Sequence, residues 1–343
     1  MHSGNLRGDR GHPKFQIALV VAALHWLPGL DDRTEDERNF NVSPLSGHCH
    51  IPTSRFESVD SYNTPIFQKY NNAPVPYDLE AYNQLLKGDV PAQLAREIAH
   101  LFIREPLQVY KERVGLDDHL TDEDFENLHL FHWRTVRLHL PPSDGRSGWK
   151  VEFRPCEIQP TTRANAAFAV LVFLISRLMF ERRLHAIMPI TMVFENMRRA
   201  VKRDAVLTER FWWRRSHRVA DENVTSKQWL TSDFVQLTPA EIFCGSVEHG
   251  TTGLHTLLTN WLAERLSDTK LNEIEHGKLQ AFVDFAKLRA TGAEATTAKS
   301  MRDFVRSHAA YLGDSRVPQE AAYELVKDWD ERARRECDQI LSE

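Results

Sequence analysis

The sequence lacks most of the features that announce a common class of protein. Its four cysteines, Cys49, Cys156, Cys244 and Cys337, lie far apart and form no CxxC pair, which argues against a disulfide framework and against a structural zinc site. A reducing, cytoplasmic setting is the expectation from that usage. No charge of one sign dominates: 43 basic and 48 acidic residues are intermixed for a formal net charge of -5. The continuous basic face that holds a nucleic-acid backbone is therefore missing, and nucleic acid is not expected as a partner. No membrane is expected either, because no segment reaches the ~18–20 uninterrupted apolar residues of a spanning helix. Ala166 to Phe180 comes nearest, is broken by Ser176 and Arg177, and reads as a buried central helix. Ile17 to Leu24 sits behind Arg7, Arg10 and Lys14 as in a signal peptide, but His25, Trp26 and Pro28 stand where a small-residue cleavage site belongs. Internal repeats, low-complexity tracts and the phosphate loops GxxxxGK(S/T) and GxGxxG are absent as well.

What is present is enough to build a core. With 343 residues and 42% hydrophobic content, the chain suits one large domain or two ordinary ones. Residues 63–91 are rich in turn formers (Asn71, Asn72, Pro74, Pro76, Gly88, Pro91) and read as a long surface connection. From Pro91 the apolar residues Leu94, Ile98, Leu101 and Phe102 recur at helical spacing, and Pro106 stops or kinks the run. The acidic stretch Asp117 to Glu126 reads as loop. Strands are expected over 135–140 and 149–158, joined through prolines and glycines as a hairpin. Helices are expected over 164–185, 191–213, 253–266, 271–290, 298–309 and 318–341. The fold class is α+β, helix-rich with a small antiparallel sheet.

The second strand carries the clearest chemistry. Side chains alternate along an extended chain, so Trp149, Val151 and Phe153 share an apolar face while Lys150, Glu152 and Arg154 share the opposite one. A carboxylate between two cations can take Mg²⁺ through oxygen and a phosphate or carboxylate through the guanidinium. The same alternation is also common on any solvated sheet face. Lys202 and Arg203 are placed on a helix whose apolar stripe (Val193, Met197, Ala200, Val201) faces elsewhere. They either reach nucleotide phosphates or are solvated. Phe211-Trp212-Trp213-Arg214-Arg215 reads as the amphipathic end of that long helix. His48-Cys49-His50 are three consecutive residues that do not easily converge on one ion. His129 and His132 come without an HExxH motif.

The segment WKVEFRPCEIQ, Trp149 to Gln159, resembles the W-(R/K)-V-E-F-R-P-x-E-x-Q signature of eukaryotic-type glutamate–cysteine ligase catalytic subunits. Further matches follow the same order: DDRTEDER from Asp31, IPTSRFESVDSY from Ile51, AHLFIREPL from Ala99, DFENLHLFHW from Asp124, ENMRRAVKRDAV from Glu195 and MRDFVRSH from Met301. The resemblance covers roughly residues 30–343. It leaves 1–28 as an unassigned N-terminal segment and makes 29–343 the C-terminal catalytic region.

That resemblance implies the C-terminal portion of a glutamine-synthetase-like, carboxylate–amine ligase fold. It implies a reaction in which ATP with Mg²⁺ phosphorylates the γ-carboxylate of glutamate and the amino group of cysteine displaces phosphate, giving γ-glutamylcysteine. In such a fold the missing phosphate loops do not argue against ATP. Carried over by position, Glu152 is the metal ligand, Arg154 the phosphate or acyl-phosphate contact, and Arg55 a holder of a substrate carboxylate or a loop-anchoring ion pair. Phe56 stands where the family usually has Tyr. Gln159 and Glu157 belong to the signature, either as structural residues or, for Gln159, as a substrate or ATP contact, while Cys156 replaces the usual Met. A regulatory ligase subunit is the implied protein partner. Because the family's D-x-R-W segment and its upstream acidic region are not seen, a fragment of low activity on its own is expected. The alternative is a non-catalytic fragment that associates with a ligase subunit.

Overall fold

The computed structural model describes residues 62, 65–104, 111–113, 117, 136–139, 150–153, 156, 158–184, 186–217 and 234–342. Segment 1–28 lies outside these residues, and so do the acidic loop beyond Asp117, the hairpin loop 141–148 and the histidine-bearing stretches at 48–50 and 129–132. The described part of 29–343 divides into two units: one runs up to Phe153 and includes Met188–Glu195, and the other comprises Cys156–Ile187 and everything from Asn196 onward.

In the first unit a 3-10 turn, Pro65–Tyr70, is followed by α1 (Leu79–Lys87), α2 (Ala92–Arg104), a short 3-10 turn at Lys111–Arg113, and the strands β1 (Val136–His139) and β2 (Lys150–Phe153). Helix α1 corrects the expectation of a structureless connection over 63–91. Asp78 caps it by accepting from the Ala81 N–H at 2.7 Å, and Gly88 ends it. The turn formers on either side mark its ends, and the helix lies against α2. Asn71 and Asn72 serve as ties rather than as plain turn residues. Asn71 accepts from the Tyr62 N–H at 2.8 Å and donates to its carbonyl at 3.0 Å, while Asn72 brackets Thr191, accepting from its N–H at 3.1 Å and donating to its hydroxyl at 2.9 Å. The buried Tyr62 hydroxyl completes the arrangement by donating to the Met188 carbonyl at 2.9 Å.

The second unit is built around α3 (Thr162–Arg182). It is 21 residues long, and by length and composition it is apolar enough to cross a membrane. It nevertheless packs as a central helix, as its sequence led us to expect. Phe168, Leu171, Ile175 and Leu178 are buried, Phe168 meets Phe285 edge-on, and Glu181 accepts from the Trp261 indole at 3.0 Å. Phe173 and Phe180 lie on its exposed side.

Next come α4 (Ile190–Ala200), the single turn α5 (Ala205–Thr208), β3 (Phe211–Arg214), β4 (Phe234–Leu237), α6 (Pro239–Cys244), the two-residue strands β5 (Gly245–Ser246) and β6 (Thr251–Thr252), and then α7 (Leu254–Ser267), α8 (Glu273–Thr291), α9 (Thr297–Ser307) and α10 (Gln319–Ser342). Helices α3, α7 and α8 pack on one another, α6 sits against α7 and α8, and α9 packs on α10. The three two-stranded antiparallel pairs β1–β2, β3–β4 and β5–β6 are the sheets among the described residues. A helix-rich α+β architecture with small antiparallel sheets therefore stands.

One expected helix is corrected. The run 191–213 does not continue past Ala200: Asp204 adopts a left-handed conformation (φ 54°, ψ 31°), and the aromatic segment becomes strand β3 instead of an amphipathic helix end. Phe211 and Trp213 point into the core, and Arg214 is buried with them, donating to the Ile187 carbonyl at 3.0 Å and lying over the Phe234 ring. The free edge of β3 is satisfied by Asn196, which is 0% exposed. Its amide accepts from the Trp212 N–H at 2.7 Å and donates to the Trp212 carbonyl at 2.8 Å, as a neighbouring strand would. Asn196→Ala leaves both part-buried backbone groups without that partner. A loss of about 2–3 kcal/mol in denaturant unfolding is expected.

The start of α6 offers a pH-dependent test. Thr238 and Glu241 form a reciprocal capping box with Pro239 in the first turn. Burial pushes the Glu241 carboxyl up, but hydrogen bonds from the Thr238 N–H and hydroxyl, together with the Arg210 guanidinium at 3.0 Å, outweigh it and hold the group below the ordinary glutamate value. A carboxyl depressed in the folded state stabilises above its unfolded pKa, and that contribution fades as pH falls through the folded value. Glu241→Gln should therefore cost about 1 kcal/mol at neutral pH, with the difference from wild type shrinking below about pH 4 in thermal melts.

Candidate active site

The hairpin of the first unit presents Glu152. The pairing register sets Val136 opposite Phe153, Arg137 opposite Glu152, Leu138 opposite Val151 and His139 opposite Lys150. Period-two alternation places Lys150 and Glu152 on one face, with Lys150 exposed and Glu152 half-buried, while Phe153 is half-buried on the other. This matches the alternation anticipated for the strand, over a shorter span than 149–158. Arg154, Glu157 and Arg55 lie outside the described residues. Among the described residues no three His, Cys, Asp or Glu side chains converge as a metal cage. A single strand carboxylate still suits Mg²⁺, which commonly takes one or two carboxylates and fills its other positions with water and phosphate oxygen.

Gln159 belongs to the second unit and has a packing role. It is 5% exposed; its side-chain carbonyl accepts from the Thr297 hydroxyl at 3.0 Å and from Arg289 at 3.4 Å. Its backbone is bracketed by Asn165, which accepts from the Gln159 N–H at 2.9 Å and donates to its carbonyl at 2.8 Å. The side chain thus ties the segment before α3 to α8 and α9, and Arg289 is itself buried over the Phe285 ring. Cys156 is half-buried.

Lys202 and Arg203 are exposed, and the stripe Val193, Met197, Ala200 and Val201 is buried, as anticipated. They sit in the turn after α4, however, not on a helix. Lys202 pairs with Glu209 at 3.2 Å with half of its side chain exposed, and no ion pair joins Arg203 to another described residue. Next to them the structure places residues to which the sequence gave no role. Arg302 of α9 meets Asp204 at 2.6 Å, and Lys299, one turn earlier, pairs with Asp303 at 2.7 Å. Two segments that had been singled out separately, ENMRRAVKRDAV and MRDFVRSH, therefore meet at Asp204 and Arg302. Their joint membership in the family pattern was the available signal. Spacing of 98 residues hides the contact from any local reading.

Comparison with known proteins agrees with these segments. A family model described as glutamate-cysteine ligase matches residues 27–331. The chain is 33% identical over 318 residues to the glutamate–cysteine ligase catalytic subunit of Homo sapiens, covering 91% of this chain and 50% of that protein. It is 32% identical over 327 residues to the glutamate–cysteine ligase of Schizosaccharomyces pombe, covering 92% of this chain and 46% of the relative. For the Saccharomyces cerevisiae ligase the figures are 31% over 350 residues, 93% and 51%. The chain spans about half the length of these curated relatives. Matched by the family model over most of its length, it belongs to the glutamate–cysteine ligase family.

Proposed function

We propose that this chain supplies the metal-and-phosphate portion of an ATP-dependent glutamate–cysteine ligase with a glutamine-synthetase-like architecture, working in the cytoplasm. The observation that carries the reading is the β1–β2 hairpin: Lys150–Phe153 of the family signature form its second strand, and Glu152 stands half-buried beside the exposed Lys150 on one face. Glu152 would hold Mg²⁺, which when bound neutralises charge on the triphosphate. The γ-carboxylate of glutamate attacks the γ-phosphorus of ATP and ADP leaves. The cysteine amine then attacks the acyl carbon and inorganic phosphate leaves. No covalent enzyme intermediate is required, so the protein's work is orientation and charge stabilisation. Arg154 suits the transferred phosphoryl group, Arg55 a substrate carboxylate, and Lys202 and Arg203 the nucleotide phosphates.

A chimera tests the reading. With this chain replacing the matching half of the Schizosaccharomyces pombe relative, purified protein given ATP, Mg²⁺, glutamate and cysteine should form γ-glutamylcysteine and release phosphate in equal amounts. A folded chimera that makes no dipeptide, or one that prefers another amine to cysteine, would overturn it.

A further inference from the structure

The turn between α4 and α5 is held in an unusual way. Asp204 occupies the left-handed region that non-glycine residues seldom enter, at φ 54°. It stands at the N-cap of α5, where an aspartate normally accepts from the first backbone N–H groups, yet its side chain makes no such cap. The carboxylate is instead engaged at 2.6 Å by Arg302 of α9, with side chains only 31% and 18% exposed. Its backbone carbonyl meanwhile starts α5, accepting from Leu207 at 2.8 Å and Thr208 at 3.1 Å. The chain direction at residues 201–204, and with it the placement of Lys202 and Arg203, is thus set by a contact from a distant helix. Lys299 lies in the same neighbourhood: pairing with Asp303, and more weakly with Asp204, raises it above the ordinary lysine range.

We propose that Asp204 and Arg302 form a positioning latch, which fixes the Lys202–Arg203 turn so that both cations meet the triphosphate of the nucleotide. The latch rests on the reading of Lys202 and Arg203 as phosphate contacts. Arg302 acts through Asp204: its guanidinium engages the part-buried carboxylate, and the ion pair offsets the strain of the left-handed residue. Lys202 and Arg203 stay exposed for the ligand.

The test uses the whole chain, with inorganic tripolyphosphate and Mg·ATP as probes in titration calorimetry and with trypsin cleavage after Lys202 and Arg203 as a ligand-free readout. Asp204→Ala and Arg302→Ala should each weaken tripolyphosphate binding by about fivefold to tenfold, and the double variant should be no weaker than the worse single one. Asp204→Asn tolerates the left-handed backbone and keeps an acceptor for Arg302, so it should stay within about twofold of wild type. Cleavage at the turn should quicken in the alanine variants and not in Asp204→Asn. Arg203→Ala should weaken binding without changing cleavage elsewhere. If Arg203→Ala weakens binding while both latch variants leave affinity and cleavage unchanged, the latch is refuted and the phosphate reading survives. If Asp204→Ala tightens binding, Arg302 is itself a phosphate contact and the latch is again refuted. If Arg203→Ala binds as wild type does, the phosphate reading fails and takes the latch's function with it, even where cleavage shows that the turn has loosened.

Discussion

Gly253→Ala is expected to destabilise the second unit by about 4 kcal/mol or more, a fall of roughly 10 °C in its melting temperature. Gly253 is the N-cap of α7 with φ -71° and ψ 148°, a conformation that alanine adopts freely, so the cost is not conformational. It is steric. A Cβ at this position would lie 2.2 Å from the Phe243 carbonyl oxygen and 2.4 Å from both Cys244 C and Gly245 N. All three are backbone atoms at the end of α6, and no rotamer change can move them. The same crowding explains why α7 begins on glycine without a side-chain cap, although serine, threonine or aspartate is the usual choice. Gly250 provides the control. It has a positive φ of 63° but open space around it, so Gly250→Ala should cost only about 1 kcal/mol of left-handed strain. If Gly253→Ala melts with wild type, the close approach of α7 to α6 is wrong.

Glu152→Gln is expected to lower kcat of the ligating chimera by at least about 100-fold. The substitution keeps the size and the strand propensity of the residue and removes only the anionic oxygen that a hard cation prefers. Glu152 sits half-buried on the polar face of a two-stranded pair, so a melting curve of each variant separates lost turnover from lost stability. Raising Mg²⁺ should recover part of the activity if the defect is weakened metal binding. Unaltered turnover at low Mg²⁺ would make Glu152 a structural residue of the hairpin.

How much of this was legible in the sequence depended on whether the deciding interaction was local. Helices α3, α7, α8, α9 and α10 repeat their apolar residues at helical spacing, and α3, α8 and α9 carry local side-chain caps, such as Asn272 with Glu275 at the start of α8. Their expected bounds differ from the observed ones by only a few residues at each end. The break after Ala200 had no such mark, because apolar residues continue through Val201, Ala205 and Val206. Four residues beyond the end of α4, a left-handed aspartate held by an arginine from α9 starts the separate turn α5. Helix α1 was missed for the opposite reason, since the turn formers around it outweighed nine helical residues. The Thr238-Pro239-Ala240-Glu241 box at α6 is a local signature of a helix start.

The site divides in the same way. Strand alternation together with the signature located Glu152, because both are properties of a short segment. The side-chain tasks of Asn71, Asn165, Asn196 and Gln159 could not be read, because each amide brackets or ties residues whose proximity only the fold creates. An asparagine in a turn-rich stretch looks like a turn former, and only its buried, doubly engaged amide reveals the tie.

The central claim is that this chain holds metal-bound nucleotide through Glu152. Titration calorimetry of ATP into the whole chain, with and without Mg²⁺, tests it most directly. Wild type should bind ATP in a Mg²⁺-dependent manner, and Glu152→Gln should weaken that Mg²⁺-dependent binding by at least about tenfold. Equal Mg²⁺-dependent affinities in the two proteins, or no binding by either, would contradict it.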